Sequence, residues 1–276
     1  VTEIAITGVA LVTARGGVAD LRCDVAPVVM PWHAARRYRP LRGVTVVGRA
    51  RLAAALEAVL AACGGASSFV AASCNGNAAS WQPEDWRDSF AWAAGPVASA
   101  ACASGMHALY LARQRIAAGA PEVWVIAADI VTPPAHANFE ALRVLADEPA
   151  PYQPEASGFR LGEAAVAVRL APAASAPGAP RLIGPVLGHD LDGDDGISRA
   201  LAALAAAGPL APELVIGQGA GPAEADRAEL AAIAAHVAPE VPLATALPGF
   251  GHTLGASSLL SVALAVLARD AAIPAL

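Results

Sequence analysis

The 276-residue chain contains no lysine, and its 18 basic residues are all arginine. This excludes mechanisms that need a lysine side chain: a Schiff base, a P-loop lysine or a kinase-type lysine. Aromatic residues make up only 5% and charged residues only 15% of the chain. With 56% hydrophobic residues, that excludes a disordered chain and allows a large aliphatic core. Positive charge is not in excess. The net charge is −6 and the pI is near 5.5, which argues against a broad nucleic-acid surface. Cysteine is scarce: Cys23, Cys63, Cys74 and Cys102 form no CxxC pair, and closely spaced histidine pairs are absent, so no metal is expected. The long uncharged run of residues 89–112 is interrupted by Gly95, Pro96 and Gly105, and reads as buried structure rather than a membrane span. No basic residues precede the first apolar stretch, which reads as a strand and not a signal peptide. The expectation is a soluble cytoplasmic protein with reduced thiols.

What the chain has is alternation. Residues 4–12 read as a strand and 20–43 as irregular. Then come a helix over 49–62 ended by Gly64–Gly65, a strand over 68–74, and an insertion over 76–98 carrying Trp81, Trp86 and Trp92. A helix over 102–118 closes at Gly119. Strands follow at 122–129, almost continuously apolar, and at 163–170. Residues 172–180 (PAASAPGAP) form a linker. Beyond it the pattern restarts: strand 181–188, helix 197–207, strand 213–217, helix 223–236, strand 241–246, loop 247–251 and helix 252–269. The alternation implies an α/β fold with mostly parallel strands. Both halves contain a small-residue helix opened by a reactive residue, Cys102 in 1–171 and His252 in 181–276. That is the pattern of an internal duplication.

Cys102 follows a small-residue loop and begins an apolar helix. There the helix field favours a thiolate, and the following backbone N–H groups could hold an oxyanion. Ala103 and Gly105 would leave room for an acyl chain; a buried structural thiol is the plainer reading. His252 lies between a glycine loop and a helix, with Gly251 allowing close approach and Gly255 close helix packing. The stretch VIGQGAGPAEADRAE, residues 215–229, has neither dinucleotide-loop spacing nor a Walker lysine. The acidic run DLDGDDG, residues 190–196, fails as an EF-hand, because Asp195 stands where glycine is needed and Leu201 where the bidentate glutamate is needed. Arg36, Arg37 and Arg39 read as a surface loop or a face for an acidic partner.

Four segments, in order along the chain, resemble the β-ketoacyl synthase (ketosynthase) family of the thiolase superfamily. ACASGMHALYLA resembles its nucleophile stretch, GFRLGEAAVAVRL its later glycine–glutamate segment, VIGQGAGPAEADRAE its HGTGTP segment, and LPGFGHTLGAS its KSxxGHTxGAAG segment. The resemblance implies a duplicated βαβαβ fold in a five-layer α/β/α/β/α sandwich, usually a dimer. It implies Cys102 as acyl-accepting nucleophile, His252 as the second of two histidines, and Asp226 and Glu229 as the acidic pair. The acyl donor would be an acyl carrier protein (through its phosphopantetheine) or coenzyme A, with no further cofactor. Three departures stand out. Gln218 replaces the first histidine and cannot carry a proton. Leu247 replaces the lysine that would partner Glu229. The sequence ends at Ala275–Leu276, so the C-terminal strands and GFGG loop of the family are expected to be truncated.

Losing one donor to a developing oxyanion costs roughly 3–4 kcal/mol, so decarboxylative condensation should be weak or absent. The favoured expectation is an acyltransferase of polyketide or fatty-acid biosynthesis working through acyl-Cys102. The alternative is a non-catalytic partner of an active ketosynthase, like a chain length factor. A thiolase-like or hydroxymethylglutaryl-type enzyme is a third reading, less favoured because GHTLGA is closer to the ketosynthase wording.

Overall fold

The computed structural model describes residues 2–13, 28–30, 33–38, 49–64, 68–74, 76, 95–188, 196–206 and 210–269. Trp81, Trp86, Trp92, Cys23, Arg39, residues 190–195 and Ala275–Leu276 lie outside them.

A sheet of six strands organises the first half. Its strands are β1 (Ile4–Thr13), β4 (Phe69–Ala72), β5 (Val97–Ala98), β6 (Val123–Asp129), β7 (Ala164–Pro172) and β8 (Arg181–Leu182), in the order β5-β4-β6-β7-β1-β8. All seven residues of β6 are buried, as its unbroken apolar run requires when both faces are covered. One face packs on α1 (Arg49–Ala62) through Leu52, Ala55, Leu56 and Val59, the i, i+3, i+4, i+7 stripe of an amphipathic helix. The other face packs on α2 (Ser104–Ala117) and α7 (Ser257–Arg269), which lie side by side. The pair approaches closely because Gly105 has no side chain: a Cβ there would lie 2.7 Å from Ser258 Oγ and 2.9 Å from the Leu259 nitrogen. Gly105 therefore makes room for a helix rather than for an acyl chain.

Beyond α7 lies a second, two-stranded parallel sheet of β9 (Val215–Gly217) and β10 (Leu243–Thr245), whose Ile216 packs toward the same core. Helix α5 (Ala223–His236) covers it, and α4 (Gly196–Ala205) packs on α5. The order α1, sheet, α2 with α7, sheet, α5 with α4 is the five-layer sandwich expected from the resemblance.

Several expectations change. The large sheet is mixed, not mostly parallel: β7 runs antiparallel to both β6 and β1. Residues 28–30 and 33–38, read as irregular, form the antiparallel pair β2 and β3, with Arg36 and Arg37 on β3. The strand at 181 lasts two residues, with Pro185 three residues beyond its end. Residues 247–250, read as loop, form the short helix α6 (Leu247–Phe250), with Pro248 in its first turn. One helix went unread, α3 (Pro133–Ala141). Thr132 caps it by accepting the Ala135 N–H at 3.4 Å, and prolines fill its first two positions. The 172–180 segment is tied back to β1, Ala173 donating to the Glu3 carbonyl and Ile6 to the Pro180 carbonyl.

Candidate active site

Cys102 sits two residues before α2 begins, not at its first turn. The chain bends there at Ala101, whose φ of +48° is a left-handed conformation that alanine adopts only under strain. Ser104 holds the bend. Its hydroxyl accepts from the Ala100 N–H at 2.9 Å and lies within hydrogen-bonding distance of the Ala101 and Ser73 carbonyls. The N–H groups of Ala103 and Ser104 already donate to the Ala100 and Ala101 carbonyls. They are thus not the oxyanion donors the sequence suggested. Nor does the helix field prevail over burial. Burial and the nearby Asp129 carboxylate push the Cys102 thiol up to about 11, with its own N–H pulling the other way.

His252 is buried in an extended contact with the first half. Its N–H donates to the Arg160 carbonyl at 2.7 Å, and its carbonyl accepts from the Gly162 N–H at 3.0 Å. The backbones can meet because Gly251 turns at φ +74°, where a Cβ would lie 2.8 Å from the Leu161 oxygen. The ring stacks on Phe159 with centroids 4.5 Å apart, and Phe139 lies at 5.8 Å. Burial lowers the ring pKa to about 4, so the imidazole is neutral near pH 7. Its Nδ1 accepts the Leu254 N–H at 3.2 Å. A neutral ring whose Nδ1 accepts must carry its proton on Nε2, so His252 is a hydrogen-bond donor. His252 does not open a helix: a 3₁₀ turn, Leu254–Ala256, separates it from α7. Gly255 packs against the ends of β4 and β6, meeting Asp129 and the Cys74 nitrogen, and not against a helix.

Gln218 follows β9. Its N–H donates to Glu229 Oε1 at 2.7 Å, and its carbonyl accepts from the Thr245 hydroxyl at 2.9 Å. Glu229 is not without a partner, as the loss of lysine at Leu247 had suggested. It also accepts the Gly219 N–H at 3.0 Å and the Tyr152 hydroxyl at 2.8 Å. Asp226 accepts the N–H groups of Tyr152 at 2.7 Å and Gly221 at 2.8 Å. The acidic pair thus folds the Gln218 loop. Tyr152 escaped the sequence reading because its two partners lie more than seventy residues away. Leu247 is buried beside Phe159 and Leu161.

Cys102, Gln218, Leu247 and His252 line one cavity of about 500 Å³, with Met106 of α2 and Ser257 of α7 completing its walls. Asp226 and Glu229 stand behind Gln218, and Gly251 lines the cavity next to His252. Among the described residues, no group of three or more His, Cys, Asp or Glu is placed to hold a metal, and no helix is long and apolar enough to cross a membrane.

Residues 93–176 match the family model of the β-ketoacyl synthase N-terminal domain. Among solved structures, the fold is similar to a β-ketoacyl synthase from Burkholderia phymatum STM815, at 22% identity and a TM-score of 0.76, over 98% of this chain and 87% of that one. It is also similar to a ketosynthase in complex with its chain length factor from Xenorhabdus doucetiae, at 16% identity and a TM-score of 0.74, over 98% and 85%. A type II polyketide synthase acyl-carrier protein in complex with its ketosynthase aligns at 19% identity and a TM-score of 0.73, over 96% and 86%. No curated protein matches the chain.

Proposed function

We propose that this chain, whose residues 93–176 match the β-ketoacyl synthase N-terminal domain, is a member of that family, and that Cys102 accepts an acyl group from a thioester and passes it to an acceptor. The Cys102 sulfur, as thiolate, attacks the thioester carbonyl. The carrier sulfur leaves and takes up the proton that Cys102 gave up. The oxyanion formed in between would be met by the His252 Nε2–H and the Cys102 N–H. The observation that carries this reading is the shared cavity, with a donor tautomer of His252 fixed by the Leu254 N–H. Gln218, in the place of the first histidine, offers an amide N–H but no proton carrier. Loading is therefore expected, with decarboxylative condensation weak or absent.

An acyl carrier protein, through its phosphopantetheine, or coenzyme A would bring the acyl group, with no other cofactor. The protein would act in the cytoplasm in polyketide or fatty-acid-type biosynthesis, as a homodimer or paired with a ketosynthase. The similar complexes of ketosynthases with a chain length factor or carrier protein support this setting.

A specific observation favours a second reading. A thiol pushed to about 11 beside a neutral histidine is poorly activated, as suits a non-catalytic partner resembling a chain length factor. Intact mass after incubation with acyl-carrier and acyl-CoA thioesters separates the two. An acyl adduct lost in Cys102→Ala supports the acyl-enzyme. No adduct from any donor, with iodoacetamide still labelling Cys102, supports the partner role. Carbon dioxide release from a malonyl thioester, no greater than in Cys102→Ala, is the expected result for condensation.

A further inference from the structure

Asp129, at the end of β6, is buried to 0% exposure beside the cavity without lining it. Its carboxylate stands between two loops. From the end of β4 it accepts the Ser73 hydroxyl at 2.6 Å and the Cys74 N–H at 3.1 and 3.2 Å. On the other side it packs directly on the turn after His252, where a Cβ on Gly255 would lie 2.8 Å from Asp129 Oδ2. Each loop leads on to a reactive side chain. Ser73 accepts the Ser104 hydroxyl at 3.1 Å on its carbonyl, and Ser104 binds the Ala100 N–H at the bend that carries Cys102. Ser99 donates to the Cys74 carbonyl at 3.0 Å, a second tie to that bend. On the other side, the Leu254 N–H that fixes the His252 tautomer belongs to the residue immediately before Gly255, which rests on Asp129. Leu254 itself turns at φ +56°, so its amide direction depends on what anchors the next two residues.

We propose that Asp129 is a positioning residue that ties the Cys102 bend to the His252 turn through one buried carboxylate. The titratable side chains whose charge it acts on are Cys74, from the end of β4, and Cys102, from the bend; Leu254, Gly255 and Ala256 of the turn carry no titratable side chain. Burial raises Asp129 to about 7, and its negative charge in turn helps push up both thiols. One group thus holds the geometry and restrains the nucleophile.

The inference gains its catalytic meaning from the acyl-Cys102 reading, so the test has arms that need no acyl transfer. The full chain is compared with Asp129→Asn and Ser73→Ala. The first arm is the pH dependence of Cys102 alkylation by iodoacetamide, read by peptide mass. In Asp129→Asn the midpoint should move to lower pH, because a negative charge is removed. In Ser73→Ala the charge stays and the midpoint should not fall. The second arm is the imidazole ¹⁵N spectrum of His252, assigned with His252→Gln. The wild type should show one fixed tautomer with a bare Nδ1, and Asp129→Asn should lose it, because an NH₂ group would replace a carboxylate oxygen that now meets the Cys74 N–H, the Ser73 hydroxyl or Gly255. In the third arm, acyl loading should fall roughly 10- to 100-fold in Asp129→Asn from misplacement of the donor. A lowered Tm with an unmoved alkylation midpoint and an unchanged tautomer would mean a structural residue only, and would overturn the proposal. Should Asp129→Asn not fold, Ser73→Ala decides: acyl loading and the His252 signal both unchanged would also overturn it. No acyl adduct in the wild type would sink the functional reading and leave the first two arms to judge Asp129.

Discussion

The two walls of the Cys102 cavity are held in different ways. The His252 wall is fastened to the first half by the Arg160 and Gly162 backbone bonds and the Phe159 ring, and stands on the six-stranded sheet. The Gln218 wall is fastened largely within the second half by Glu229 and Thr245, with Tyr152 reaching across, and stands on two strands. The motif residues His252 and Cys102 lie where the first half fixes the backbone. The departures Gln218 and Leu247 lie on or beside the second sheet. The Cys102 and His252 backbones are thus set by contacts to the first half, whereas the Gln218 backbone is set by Glu229 and Thr245 of its own half.

The comparison breaks most visibly at Glu163. This residue closes the segment that holds His252, pairs with Arg51 at 2.7 Å, and accepts the Val131 N–H at 3.1 Å, all buried. Removing one partner of a buried pair costs about 3–5 kcal/mol, so Glu163→Ala should lose that much in urea unfolding and acyl loading with it. An unchanged midpoint would show that the His252 wall does not depend on the sheet. Next come the two walls directly. His252→Ala should lower acyl loading roughly 10²–10³-fold, as for loss of one oxyanion donor, and Gln218→Ala less than about 10-fold. Equal losses, measured by time-resolved intact mass, would erase the distinction.

Acid offers a third test. His252 has a folded pKa of about 4, below the ordinary histidine value of 6.5, so the unfolded chain takes up its proton first. Stability is therefore lost as pH falls from 6.5 to 4, by about 3 kcal/mol from this group. Asp129, raised from 3.8 to about 7, binds its proton first in the folded state, so stability is gained as pH falls from 7 to 3.8. The two oppose each other. Relative to the wild type, His252→Gln should gain stability between pH 7.5 and 4.5, and Asp129→Asn should lose it, by urea unfolding at both values. The smallest effect is at Tyr152→Phe. Losing its bond to Glu229 should cost about 1 kcal/mol and leave the His252 ¹⁵N signal unmoved.

The helices over 49–62 and 223–236 were legible to the residue, because runs of helix-forming Ala, Leu, Glu and Arg and the flanking Gly64 or Pro222 are local signals. The short helix at 247–250 and the two-residue β8 were not, since their lengths follow from neighbouring prolines and packing rather than from period. Helix α3 could have been found from Thr132-Pro133-Pro134, a cap followed by two prolines. The candidate residues Cys102, Gln218 and His252 were named from four motifs, and they meet in one cavity. The partners that orient them, Phe159, Tyr152, Ser104 and Asp129, were not named, because none is spaced from its partner by a regular period.

The order of residues alone establishes an α/β chain with an aliphatic core, because composition and periodicity act over a few residues at a time. It also determined which residues have the chemistry for acyl transfer, since a thiol, an imidazole and an amide are properties of the side chains. Only the tertiary structure decided strand direction, because the same apolar run serves a parallel or an antiparallel neighbour. It alone decided that the N–H groups after Cys102 are occupied, that His252 carries its proton on Nε2, and that Gly105 serves a helix contact. Those are properties of hydrogen-bond geometry and burial between residues far apart in the chain, and they exist only once the layers have packed.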